Sequence, residues 1–199
     1  MGEKLSDAAL DTIFRTARTY NGYTDEPVTE SDIHAIYDLL KMGPTSANQQ
    51  PARFVWCMSQ EAKDRLADLA SEKNADKIRK APAAVIIGMD ENFHEELPWL
   101  FPHADAKSWF DGDEKKAMRA EHAFRNSSLQ GAYFIIAARA LGLDTGPMSG
   151  FDNAKVDQAF FGDRPSVKSN FISTLGHGDP STIFERLPRP EFDTFNRIV

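Results

Sequence analysis

The sequence predicts an α+β layered fold in a single domain. Three observations lead there. Apolar residues recur at helical spacing in several segments, short β-rich apolar runs are scattered between those segments, and helices outnumber strands. The chain has 199 residues, 41% of them hydrophobic, which gives one sizeable core and no ground for a second.

The elements follow in order. Residues 5–17 read as a helix with Ala9, Ile13 and Ala17 on one face and Leu10 and Phe14 beside it. Thr29 stands as an N-cap with Asp32 at the capping-box position. Ile33, Ile36, Tyr37 and Leu40 then make residues 30–42 an amphipathic helix, stopped by Gly43-Pro44. The β-rich run 53–58, bounded by Pro51, reads as a strand, residues 60–70 as a helix and the apolar run 83–87 as a buried strand. Residues 97–110 hold Pro98, Pro102, Trp99, Phe101, Trp109 and Phe110, an irregular flap with short helical turns. A long helix covers 113–141, with Gly142 as its C-terminal cap. Its second half carries Leu129, Ala132, Tyr133, Ile136, Ala137 and Ala140, a pattern for a central helix apolar on most faces. A helix over 152–160 and a strand over 167–175 complete the regular elements. The tail, 181–199, contains Pro188 and Pro190 and too few apolar residues to form a unit of its own. It is expected to pack on another surface, such as that of a second subunit.

Composition narrows the function. The net charge of -7 and pI near 5.2 argue against nucleic acid or an anionic membrane as partner, while leaving room for a local basic pocket. Cys57 is the one cysteine, so no disulfide framework forms within the chain and a thiolate metal site is not expected. It lies in an apolar strand, where a buried structural thiol is the better reading. No signal-peptide core and no run approaching the roughly 18 apolar residues of a membrane span is visible. The expectation is a soluble cytoplasmic protein.

The standard catalytic signatures GxGxxG, GxxxxGK[ST] and HExxH are missing, and the five histidines are dispersed. Four polar segments remain. Residues 43–51, GPTSANQQP, offer Thr45, Ser46, Asn48 and Gln49, hydroxyls and amides suited to the edge of a polar heterocycle. Residues 145–150, TGPMSG, put backbone amides in a defined turn. Residues 17–22, ARTYNG, offer Arg18 and a neighbouring hydroxyl to a phosphate, and Arg186 and Arg189 of the tail could complete an anion site. Taken singly, each segment reads better as a solvated connector, a plain turn or a surface arginine.

Their order along the chain resembles the FMN-dependent nitroreductase family over essentially the whole sequence. The series is ARTxNxY, GPTSANQQP, LGLDTGPMSGFD, the glycine-ended strand Ser173-Thr174-Leu175-Gly176, and RLP. The strings LFPHADAKSWF, AFRNSSLQGAY and ALGLDTGPMSGFD are similar to the branch of that family that reduces malonic semialdehyde in pyrimidine breakdown. The resemblance implies a three-layer sandwich with a central, mostly antiparallel sheet. It also implies a homodimer with exchanged termini and an FMN site in each half of the interface.

Residue by residue, the resemblance assigns Arg18, Thr19 and Asn21 to the FMN phosphate and ribityl chain, with Arg186 on the phosphate. Pro44, Thr45, Ser46 and Asn48 would reach the flavin of the partner subunit, Asn74 would meet its pyrimidine edge, and Pro147, Met148, Ser149 and Gly150 would lie against the ring. Five positions depart from the family pattern. Ala17, Asn21 and Phe184 stand where relatives carry basic residues, and Ser149 where many carry glutamate. Ala52 replaces a common tryptophan.

The implied chemistry is hydride transfer from NADH or NADPH through the flavin to a second substrate in one shared site, with no dedicated catalytic acid or base. For malonic semialdehyde the product is 3-hydroxypropionate. A carboxylate substrate calls for a cation near the ring, and His103, Lys107 and Arg125 are candidates by sequence neighbourhood. The competing readings are a broad nitro- or quinone-reductase, a flavin-binding module without turnover, and an α+β interaction protein that binds no flavin.

Overall fold

The computed structural model describes residues 2–199. Its helices are α1 (Asp7–Leu10), α2 (Glu30–Leu40), α3 (Gln60–Ala67), α4 (Glu72–Lys80), α5 (Leu97–Leu100), α6 (Lys116–Ala140), α7 (Asn153–Phe161) and α8 (Phe192–Phe195). Its strands are β1 (Ala52–Cys57), β2 (Ala83–Asp90), β3 (Asp144–Met148) and β4 (Val167–Gly176). The sheet runs β1-β2-β4-β3, and all three pairings are antiparallel.

Alternation along β2 builds the three layers. Ala83, Val85 and Ile87 face α2 and α6, joining Ile36, Leu40 and Phe134. Ala84 and Ile86 face the other way, onto Leu66 of α3, Ile78 of α4 and Val156 of α7. A central strand covered on both sides reads as an uninterrupted apolar run, as 83–87 does. Burying one isoleucine or valine side chain stabilises by about 1.5–3 kcal/mol, so this strand anchors both cores. Cys57 is buried in the second core, where burial pushes its thiol up to about 11. A register shift between Ile87 and Gly88 leaves Asn170 of β4 unpaired in the ladder, and its amide donates to Ser127 and Ser128 of α6.

The expected caps are present. The Thr29 hydroxyl accepts from Asp32 N at 3.2 Å, and the Asp32 carboxylate accepts from Thr29 N at 2.8 Å. At the end of α6, Gly142 takes φ +80, its N–H donates to the Arg139 carbonyl, and Leu143 N donates to the Ala138 carbonyl. That is a Schellman closure.

Several expectations need correction. The first helix is α-helical only over Asp7–Leu10 and continues as a π-turn over Asp11–Arg15. Residues 145–148, read as a turn, belong to strand β3. Gly146 and Pro147 disguised it, yet both suit an edge strand that pairs through the ladder with β4 alone. A Cβ at Gly146 would sit 2.4 Å from Thr174 Oγ1 and 2.8 Å from the Tyr20 carbonyl, so glycine allows the N-terminal segment to lie close. Helix α4 was not anticipated, because EKNADKIRK buries only Ala75 and Ile78. Nor is α6 buried on most faces. Ala132 and Ala140 are exposed, as is Leu129, and its buried stripe includes Asn126, Ser127 and Gln130. The tail is also more apolar than its expected role suggested: Phe184, Leu187, Phe195 and Ile198 are each at least 75% exposed.

Candidate functional site

The N-terminal segment reaches its place by pairing with β3. Thr19 bridges Thr145 in parallel, and Tyr20 N donates to the Thr145 carbonyl at 3.3 Å. The tail then closes on this segment. Arg18 donates to the Phe184 carbonyl, Arg186 to the Ala17 carbonyl at 3.0 Å, and Asn21 to the Thr182 carbonyl at 2.9 Å. Between them lies a cleft of about 430 Å³, lined by Arg18, Thr19, Asn21, Arg139, Arg186 and Arg189 among others. Four arginines line one cavity, with Glu185 the only acidic residue in its wall. Such a cavity suits a compact, highly charged anion.

Strand β3 leads away from this cleft. From Thr145 to Ser149 it spans roughly 13 Å at about 3.3 Å per residue. At its far end Asn74 Nδ2 donates to the Gly150 carbonyl at 3.1 Å, and Ser71 N to the same carbonyl at 2.9 Å. Ser149 and Gly150 are exposed, whereas Pro147 and Met148 are half-buried strand residues rather than parts of a free turn.

The loop from Pro44 to Gln50 is held elsewhere. Ser46 N donates to Asn126 Oδ1 at 2.8 Å, Asn126 Nδ2 donates to Gln49 Oε1 at 3.0 Å, and Gln130 Nε2 donates to Gln50 Oε1 at 2.6 Å. Asn48 Nδ2 donates to the Leu100 carbonyl at 2.8 Å. Ala47, Asn48 and Gln50 all have positive φ, near +45°, a strained backbone for non-glycine residues that the α6 amides hold in place. Pro44, Thr45, Ser46 and Asn48 do not line the arginine cleft. One chain therefore presents two separate groups: Arg18, Thr19, Asn21 and Arg186 converge, while the 44–48 loop sits against α6 and α5.

The cations considered for a substrate carboxylate are not brought together. Lys107 pairs with Glu95 at 2.5 Å and Arg125 with Glu121 at 2.5 Å, so neither offers a free charge. His103 packs edge-on against Phe101. Among the described residues no group of three or more His, Cys, Asp or Glu side chains converges on a possible metal position, and no helix is long and apolar enough to cross a membrane.

The nitroreductase family model matches residues 14–177. The chain belongs to the nitroreductase family. A relative from Stenotrophomonas maltophilia strain R551-3, provisionally named NADH dehydrogenase/NAD(P)H nitroreductase, is 60% identical over 199 residues, covering 100% of both chains. Among solved structures, a protein of Exiguobacterium sibiricum in complex with FMN superimposes with a TM-score of 0.80 at 18% identity, covering 100% of each chain. An enone reductase of gut-bacterial fatty acid saturation gives a TM-score of 0.82 at 16% identity, covering 98% of this chain and 100% of the other. At those identities the structural likeness establishes the nitroreductase fold.

Within this family member, two features escaped the sequence reading. Arg139 lies in the apolar half of α6 and joins the arginine cleft only because the helix ends beside it. The Asn126–Gln49 and Gln130–Gln50 pairs link residues about 80 positions apart, and no local signal joins them.

Proposed function

We propose that the chain is an FMN-dependent NAD(P)H oxidoreductase that acts as a homodimer. The observation that carries this reading is the arginine cleft at one end of β3, with the Asn74–Gly150 pair at the other. A flavin mononucleotide has that character, a phosphate at one end and a hydrogen-bonding ring at the other. Family membership, the FMN held by the Exiguobacterium protein and the NAD(P)H-linked name of the Stenotrophomonas relative support it.

Arg18, Thr19 and Arg186 would hold the phosphate, and Asn74, Ser149 and Gly150 would meet the ring. Asn21 spends its amide on Thr182 and serves to fix the tail. Gly150 fits closely, since a Cβ there would lie 2.7 Å from Asn74 Nδ2. The loop from Pro44 to Asn48 would complete the site of the other subunit, which explains why it stands apart from the cleft of its own chain. When bound, the flavin takes hydride from NADH or NADPH and passes it to an electrophilic acceptor. The residues named here bind and orient the cofactor, and none of them acts as an acid or base.

For the acceptor we favour malonic semialdehyde. Hydride to its aldehyde carbon and a proton from solvent to the oxygen give 3-hydroxypropionate. The strings LFPHADAKSWF, AFRNSSLQGAY and ALGLDTGPMSGFD support this choice. A broad nitro- or quinone-reductase is the second reading. The relative's name favours it, as does the pairing of Lys107, Arg125 and Arg53 with carboxylates. Steady-state kinetics on the purified protein decide between them. A kcat/KM for malonic semialdehyde above that for nitroarenes and quinones supports the aldehyde, and the reverse order rejects it.

A further inference from the structure

Arg139 stands in the last turn of α6 and lines the same cleft as Arg18, Arg186 and Arg189. Its Nη1 donates to the Ile13 carbonyl at 3.1 Å, while its Nε is buried without a hydrogen-bond partner. Backbone carbonyls take the other contacts in the cluster: Phe184 from Arg18, Ala17 from Arg186, Leu187 and Pro188 from Arg189. Among the described residues none of the four arginines forms an ion pair, although ion pairs are common elsewhere on the chain. Asp144 attracts Arg139 from beyond ion-pair distance, and its carboxylate is committed to Gly178 N at 3.0 Å. Burial holds the Arg139 guanidinium below its usual range, against the pull of Asp144 and with a smaller push from Arg186. A half-buried guanidinium without an ion pair, sharing its cleft with Arg186, is stabilised when an anion enters.

We infer that Arg139 is an anion-binding residue, the wall of a three-sided cage in which residues 17–21, the end of α6 and the tail close on a phosphate monoester. The identity of that monoester as FMN rests on the function proposed above. The cage gathers four arginines although Ala17, Asn21 and Phe184 stand where the family resemblance implies basic residues. Arg139 also ties α6 to the turn at Ile13, so its test must separate charge from scaffold.

Riboflavin provides the separation, because it carries the same ring without the phosphate. Apo-protein is titrated with FMN and with riboflavin for wild type, Arg139→Gln and Arg139→Lys, and the thermal midpoint of each is recorded. We expect Arg139→Gln to weaken FMN binding about tenfold, which is roughly 1.4 kcal/mol. Riboflavin affinity should stay within about twofold, a change of ~0.4 kcal/mol. Arg139→Lys should recover part of the loss. An unchanged ratio of FMN to riboflavin affinity overturns the inference, whether both ligands bind as in wild type or both weaken together with a fall in thermal midpoint. If wild type binds neither flavin, the proposed function fails and the cage is read with pyrophosphate. Stabilisation of wild type but not of Arg139→Gln by pyrophosphate then supports the inference, and equal behaviour of the two rejects it.

Discussion

Arg18 and Arg186 clasp the two ends of the chain reciprocally. Arg18 donates to the Phe184 carbonyl, two residues before Arg186, and Arg186 donates to the carbonyl of Ala17, which precedes Arg18. Each arginine thus fixes the backbone that presents the other, and both line the cleft proposed for the phosphate. Replacing either one loosens the site twice, by removing a charge and by freeing its neighbour.

Arg186→Ala should therefore weaken FMN binding by about 10–100-fold, the low end of what losing one partner of a buried charge pair costs. Arg186→Lys should recover only part, since lysine keeps the charge and loses the planar fork. Fluorescence titration of apo-protein measures both. Wild-type affinity in Arg186→Ala would assign the phosphate to Arg18, Arg139 and Arg189 alone.

The tail should be needed for the dimer proposed above. Phe184 and Phe195, at 78% and 77% exposure, are covered by nothing in one chain. Deleting residues 181–199 should give aggregated or flavin-free protein, measured by light scattering coupled to size-exclusion chromatography. A truncated monomer that stays soluble and yellow would rule out this role for the tail.

The loop from Ser46 to Gln50 should depend on Asn126. Asn126→Leu removes the partner of Ser46 N–H and strands Oε1 of the buried Gln49, and leaving a buried polar group unpaired costs about 1–3 kcal/mol. Chemical denaturation should show a loss of that size, with a larger fall in flavin affinity than the loss of stability explains. An Asn126→Leu protein as stable as wild type would mean that the loop holds its strained backbone unaided.

Acid should weaken the packing around the flap. Burial, then Arg119, depress the His94 pKa below its ordinary 6.5, against the opposing pull of Glu95 and Asp111, and burial does the same to His122. The unfolded chain takes up these protons first. Their contribution to stability is complete above about pH 6.5 and is lost as pH falls below it. Thermal midpoints from pH 8 to pH 5 should fall, and His94→Phe should flatten the decline. A wild-type slope in His94→Phe would place the sensitivity elsewhere.

Much of the fold was legible because its signals are local. The Thr29–Asp32 box, Gly142 and the apolar run 83–87 each declare a structure within a few residues. Strand β3 was hidden because Gly146 and Pro147 follow edge-strand rules that the surrounding sequence does not announce. Helix α4 was hidden because two buried residues are too few for periodicity to register. The converging residues Arg18, Thr19, Asn21 and Arg186 were legible through the order of motifs. Arg139 was not, because it reaches the cleft through the end of a helix whose sequence reads as core.

The claim that this chain is an FMN-dependent reductase is tested most directly by the visible absorption spectrum of the purified protein, before and after addition of NADH or NADPH under anaerobic conditions. The expected result is a yellow protein that bleaches with a reduced nicotinamide and releases FMN on heating. A colourless protein that takes up no FMN, or a yellow one that neither nicotinamide reduces, would contradict it.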